Sequence, residues 1–473
     1  MPDIRYVCIS DMHLGVHSSL LTNLATGSPE SDVTQPSPVL RQLVACLKEL
    51  ISKNEGAEKP TLILNGDILE LALCGDNEAA MAFERFIELI MPDNEEPLFK
   101  RVIYLPGNHD HHLWETARET QYVANYLSKH KPGENLDRPW HTTKMFVEND
   151  PNEVESYFLT RLIQRYEHLK EQKIVTVYPN FGLLSEDGNR CVIFTHGQFS
   201  ESIYLMMSNL HLMVFPESQM PTTVWGVEAE NFAWIDFFWS TLGRSAEVGS
   251  DVGLIYDKLQ DEKQLKKLLS ALAHSIVNKN SLLSGVKAEA LKLLLEMTIG
   301  KVAQHERHVT ATPLSDNAKE GFFHYVEGPL REHLLTERQT MPTEVTLVFG
   351  HTHKPFEEVM TFKGYPPHTK VYNTGGWVVD TQQTQPMHGG AIILVDENLH
   401  AASLRMYNEA TEADHYAVKV TSVTQEGLPK DPFYTRLKSL VNPKSLPWSH
   451  FSEIVAQEVT HRMEILRERI NQD

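Results

Sequence analysis

Five short apolar runs in this chain each stop at an ionisable or amide side chain. RYVCIS leads into Asp11, TLILNG into Asp67, RVIYLPG into Asn108, CVIFT into His196 and TLVFG into His351. Buried strands of an α/β sheet read as continuous apolar stretches, and ligands bind beyond their carboxyl ends. A chain with this pattern is expected to build such a sheet and to collect its polar chemistry along one edge.

Between the first two runs lies PSPVLRQLVACLKELISK. It sets Val39, Leu40, Leu43, Val44, Leu47, Leu50 and Ile51 at helical spacing, with Ser37 as N-cap and Pro38 at the first helical position. The opening is therefore βαβ. Further on, KVYNTGGWVV, GGAIILVD and HAASLRMYN read as strands of a second sheet. The expected fold class is α/β, a two-sheet α/β/β/α sandwich with large helical insertions. Residues 1–111, 173–197 and 341–410 would form the core. Residues 112–172 (with VESYFLTRLIQRYEHLK) and 198–340 (with LKKLLSALAHSIV and VKAEALKLLLEMTIGKVAQ) would be helical insertions, the second a candidate lid. Residues 411–473 would be a C-terminal extension with a terminal helix, and TGSPESDVTQPSP a mobile loop.

At 473 residues the chain exceeds one ordinary compact core. Its net charge of −20 argues against general nucleic-acid or anionic-membrane binding, which needs a basic face. MPDIRYVCIS lacks the pattern of a secretory signal, and no run of about 18 apolar residues could span a bilayer. Cys8, Cys46, Cys74 and Cys191 are far apart and form no C-x-x-C pair. A cytoplasmic location with reduced, buried thiols is expected.

The residues that end the runs form a donor set: Asp11, His13, Asp67, Asn108, His109, His196, His351 and His353. Taken singly, GD, GNH or a lone His after a strand is an ordinary turn. Together, in order, they offer mixed oxygen and imidazole donors without thiolate, which suits two divalent ions, Mn first, with Fe, Zn or Ni as alternatives. Two ions roughly 3.5–4 Å apart need a bridging carboxylate and can clamp an in-line displacement at phosphorus.

The ordered motifs SDMHLG, LNGDILEL, PGNHD, THG and GHTHKP resemble the calcineurin-like metallophosphoesterase superfamily. The resemblance implies the metallophosphoesterase sandwich and a phosphodiester or pyrophosphate bond cleaved by a metal-bridging hydroxide. It implies one metal on Asp11, His13 and His353, the other on Asn108, His196 and His351, and Asp67 as the bridge. His109 would be the general acid, oriented by Asp110. His111, His112 and Lys354 are candidate substrate contacts, and Lys354 and Arg244 are candidate phosphate or anion contacts. With VYNTGGWV added, the set is most similar to the branch containing UDP-2,3-diacylglucosamine pyrophosphatases. A nuclease, a cyclic-nucleotide phosphodiesterase and a non-catalytic protein-binding scaffold are the alternatives on this fold.

In the second insertion, SIYLMMSNLHLMVF and NFAWIDFFWSTLG carry helical apolar spacing, and Trp225, Trp234 and Trp239 cluster. Two readings stand. One is an apolar lid or acyl-chain pocket over the metals, and the other is the core of a helical subdomain or a homodimer contact. The expected partner is a phosphorylated small-molecule, nucleotide or lipid-linked substrate.

Overall fold

The computed structural model describes residues 2–147, 153–215, 217–241, 312–423 and 431–471. Its strands are β1 (Ile4–Ile9), β2 (Thr22–Leu24), β3 (Ser31–Pro36), β4 (Thr61–Asn65), β5 (Arg101–Leu105), β6 (Val154–Glu155), β7 (Ile174–Thr176), β8 (Asn180–Leu184), β9 (Arg190–Thr195), β10 (Glu344–Phe349), β11 (Phe356–Met360), β12 (Thr369–Asn373), β13 (Gly389–Asp396), β14 (Ala401–Asn408) and β15 (Lys419–Thr421). The first sheet has the order β15-β14-β13-β1-β4-β5-β7-β6, the second β11-β12-β10-β9-β8. Each is parallel at its centre: β1, β4, β5 and β7 in the first, β9, β10 and β12 in the second. This is the metallophosphoesterase sandwich.

Period-two alternation sorts the strand side chains between cores. On β4, Leu62 and Leu64 face one core while Ile63 faces another; on β9, Val192 and Phe194 join Ile63. Cys8, Ile63, Ile103, Val192, Phe194 and Val348 thus fill the space between the sheets. Because β4 is buried on both faces, its sequence reads as an unbroken apolar run.

The helices are α1 (Pro38–Ile51), α2 (Asp76–Ile90), α3 (His112–Gln121), α4 (Tyr157–Ile163), α5 (Met206–Val214), α6 (Val224–Ser240), α7 (Asp316–Tyr325), α8 (Arg331–Arg338), α9 (Pro432–Leu440) and α10 (Trp448–Asn471). α1 starts where its sequence indicates, with Ser37 Oγ accepting the Leu40 amide at 3.0 Å and Pro38 at the first position.

Three expectations need correction. GGAIILVD and HAASLRMYN are β13 and β14 of the first sheet, because β13 pairs antiparallel with β1; only KVYN, in β12, belongs to the second. The stretch expected as a mobile loop carries β3, paired with β2 and packed on α2. In VESYFLTRLIQRYEHLK the first two residues pair with β7 as β6, and the helix covers only Tyr157–Ile163. The helical patterns within residues 265–304 lie outside the described residues.

The C-terminal segment is woven into the core. Phe433, Leu437, Trp448, Phe451 and Val455 pack with α1 and the outer face of the first sheet. Buried Arg462 donates from Nε to the Ser19 carbonyl at 3.1 Å and from Nη2 to that of Thr22 at 2.6 Å. Arg436 reaches Asp3 Oδ1 at 2.8 Å. Replacing a buried Trp by Ala leaves a large cavity, so Trp448→Ala is expected to destabilise the protein by about 3–5 kcal/mol in chemical denaturation. A peripheral tail would lose less than about 1 kcal/mol.

Candidate metal centre

Five of the run-ending residues have left-handed backbones: Asp11 (φ 50°), His13 (45°), Asp67 (51°), His351 (69°) and His353 (57°). Such conformations cost a side-chain-bearing residue of order 1–3 kcal/mol and persist only where the surroundings impose them. Here the loops are tied to one another. The Asp11 amide donates to the Gly66 carbonyl and the His13 amide to the Asp67 carbonyl, both at 2.9 Å, and the Trp377 amide donates to the Asp11 carbonyl at 3.1 Å. Gly107 is required for closeness: a Cβ there would stand 2.3 Å from Asp67 Oδ1.

The turns aim their side chains at one buried point. Asp11, His13, Asp67, Asn108, His109, His196, His351 and His353 are each at most 2% exposed. Donor atoms of Asp11, His13 and His353 lie within 4.8 Å of one another, as do those of Asp67, His196 and His351, and those of His13, Asp67 and His109. Asp67 Oδ2 stands between the first two groups, 3.8 Å from His13 Nε2 and 3.2 Å from His196 Nε2. That oxygen is buried and accepts no hydrogen bond. Asn108 Oδ1 is 3.2 Å from His196 Nε2. A buried carboxylate oxygen flanked by imidazole nitrogens and an amide oxygen fits a divalent cation on each side. Burial alone would raise Asp67, but His196, His109 and His13 hold it well below the usual carboxylate range. Burial pushes His13 down to about 4; it acts against His196 too, yet Asp67 and Asp11 raise that ring to about 9.

Glu70 supplies a contact the motifs did not reveal. One oxygen accepts from His13 Nδ1 at 2.7 Å and the other from His109 Nδ1 at 2.8 Å. Burial works against its charge, but His109 and His13 hold Glu70 down to about 2. Asp110, expected to orient His109, does something else. It accepts the amides of Gly107 at 2.7 Å and Ile68 at 2.8 Å, knitting the GD and GNHD loops together. Burial and the neighbouring Asp67 push its carboxyl up to about 6. The legible signal for Glu70 was its place three residues after Asp67 in GDILEL.

His111 and His112 are committed to the second insertion. His111 Nε2 meets Glu228 Oε1 at 2.8 Å, His112 Nδ1 meets Asp236 Oδ1 at 3.1 Å, and the His112 amide donates to Ser240 Oγ at 2.8 Å. All three partners lie on α6. Tyr178 Oη donates to Glu228 Oε2 at 2.8 Å. The same helix brings buried Trp239 to 6.4 Å from the His109 ring and 5.2 Å from Tyr204, and leaves Trp225 and Phe237 exposed. Phe199, Ile203, Val227, Ile235 and Trp239 share a core with Ile193, Leu347 and Phe349 of the second sheet. Lys354 is wholly buried and opposes protonation of His388. Arg244 lies outside the described residues.

Burial disfavours charge on His111, but Glu228 and Asp236 raise it to about 10. Its contribution to holding α6 is therefore complete below pH 6.5 and lost as pH rises through about 10. His111→Ala strands the Glu228 carboxylate and is expected to cost about 3–5 kcal/mol, read as earlier proteolysis within α6. His112→Ala, at a half-buried ring, should cost less than about 1 kcal/mol.

Residues 4–226 match the family model described as calcineurin-like phosphoesterase. The matched stretch contains the donors from Asp11 through His196, and His351 and His353, beyond it in sequence, reach the same point by folding. No curated protein matches the chain. Among solved structures, the chain is similar to a phosphopantetheinyl hydrolase from Mycobacterium tuberculosis. The identity is 12%, the coverage 79% of this chain and 89% of that one, and the TM-score 0.24. Residues 4–226 are thus similar to a calcineurin-like phosphoesterase domain, and the donors they carry converge with His351 and His353 in one buried cluster.

Proposed function

We propose that this chain is a metal-dependent phosphoester hydrolase that cleaves a phosphodiester or pyrophosphate bond with two divalent ions, manganese first among them. The observation that carries the reading is Asp67 Oδ2, an orphaned buried carboxylate oxygen set between two groups of imidazole and carboxylate donors. Asp11, His13 and His353 would hold one ion, Asn108, His196 and His351 the other, and Asp67 both. When bound, such ions supply an acidified water and offset charge on phosphoryl oxygens.

The chain's own residues supply the rest. Glu70, fully ionised, accepts the Nδ1 proton of His109 and so fixes the tautomer and the tilt of its ring. With Nδ1–H engaged by Glu70, His109 in its imidazolium form carries a second proton on Nε2 that it would pass to the departing oxygen, leaving the neutral Nδ1–H ring. Asp110 holds the Asp67 and Asn108 loops in register through their amides. Burial of all the donors keeps bulk water from competing for the phosphoryl group. The resemblance to UDP-2,3-diacylglucosamine pyrophosphatases supports pyrophosphate as the first substrate to try. The acidic balance of the chain favours a small or lipid-linked substrate over a nucleic acid.

The test is hydrolysis by metal-stripped protein with Mn, Ni, Zn or Mg restored. The probes are a phosphomonoester, bis(p-nitrophenyl) phosphate and a nucleotide-sugar pyrophosphate. Activity is expected to return with metal. His109→Ala should lower kcat about 10²–10⁴-fold with metal content unchanged. Asp67→Asn should lose both activity and metal. Two bound ions with no turnover of any probe would favour a protein-binding scaffold instead, and preference for the diester over the pyrophosphate would favour a nuclease or cyclic-nucleotide phosphodiesterase.

A further inference from the structure

The candidate ligands differ in what holds them from behind. His13 turns Nε2 toward Asp67 and rests Nδ1 on Glu70. His353 sets Nε2 3.5 Å from Asp11 and Nδ1 3.4 Å from Asp380. Glu70 and Asp380 belong to the loops after β4 and β12, inside the sandwich. The second set is held differently. His351 Nε2 lies 2.7 Å from Glu201 Oε1, and Asn108 Nδ2 donates to Tyr204 Oη at 3.2 Å, which leaves its Oδ1 toward His196.

Glu201 and Tyr204 both lie within Gln198–Leu205, the stretch that opens the second insertion, and the Tyr204 amide donates to the Glu201 carbonyl at 3.1 Å. That stretch is fastened to the insertion's helices. Trp234 of α6 donates to the Ile203 carbonyl at 2.9 Å, and α7 packs so closely that a Cβ on Gly321 would stand 2.0 Å from the Ser200 carbonyl oxygen.

We propose that Glu201 and Tyr204 are positioning residues for the second metal set. That set is then complete only with the insertion seated on the core, while the first set is complete in the core itself. The proposal rests on the two-metal hydrolase reading. Carboxylates behind metal-bound imidazoles commonly change metal affinity 10–100-fold, which gives the size of the expected effect.

The experiment is Mn(II) titration of the full chain against a competing chelator, with bound metal counted by atomic absorption and the pair observed by EPR. Glu201→Ala combined with Tyr204→Phe is expected to keep one ion at wild-type affinity. The second ion should bind about 10–100-fold more weakly, and the spin-coupled signal should give way to that of isolated Mn(II). Glu201→Gln, which keeps an oxygen facing His351 Nε2, should retain most of the second ion's affinity. Asp380→Ala should weaken one ion while leaving intact the affinity that the Glu201/Tyr204 variant loses. Wild-type affinity for both ions in the double variant would overturn the proposal. So would equal weakening of both ions with an unchanged circular dichroism spectrum. If the wild-type chain binds no pair of ions, the hydrolase reading fails first and the proposal with it.

Discussion

A carboxylate sealed from water sets the terms for the rest of this molecule. Asp67 is wholly buried and is held in its charged form by the imidazoles around it and by the His109 amide, which donates to its Oδ1 at 2.8 Å. An uncompensated buried charge is among the most costly features a fold can carry. The surrounding order can be traced to that cost. The left-handed turns bring His13, His351 and His353 close, Glu70 and Asp110 fix the loops around Asp67, and the carboxyl ends of both parallel sheet centres face the same point. A cation on each side would offset that cost directly.

Much of this was legible in the sequence because the signals were local. β4 is buried on both faces, so TLILN stood out as apolar and Asp67 as its terminus. α1 was legible to the residue, since its cap and its proline act within a few positions. What escaped was decided between distant segments. β13 resembles any antiparallel strand, and only its pairing with β1 puts it in the first sheet. Glu70 resembles a solvent-facing acid until His13 and His109 close on it. Asp110 sits beside His109 in the chain, yet its side chain serves the amides of Gly107 and Ile68. Adjacency in sequence suggested a partner that geometry gave to another residue.

The second insertion combines two readings that the sequence left apart. Its apolar residues near the site are ordinary core, packed on the outer face of the second sheet. The same packing delivers Glu201, Tyr204 and Trp239 to the rim of the donor cluster and clamps α6 through His111 and His112. A segment can thus be structural in its energetics and still shape the chemistry. Here both follow from the insertion leaving the sandwich immediately after His196.

The C-terminal helix bears on the order in which the chain can assemble. Arg462 closes on the carbonyls of Ser19 and Thr22, in the loop that follows His13, and β13 flanks β1 from nearly four hundred residues away. Contacts between such distant parts form slowly, because the intervening chain must first be brought to order. During synthesis the first strand and the loop that carries Asp11 and His13 emerge long before their partners do. Asp11 and His13 therefore gain this support only after β13 and α10 have also been synthesised.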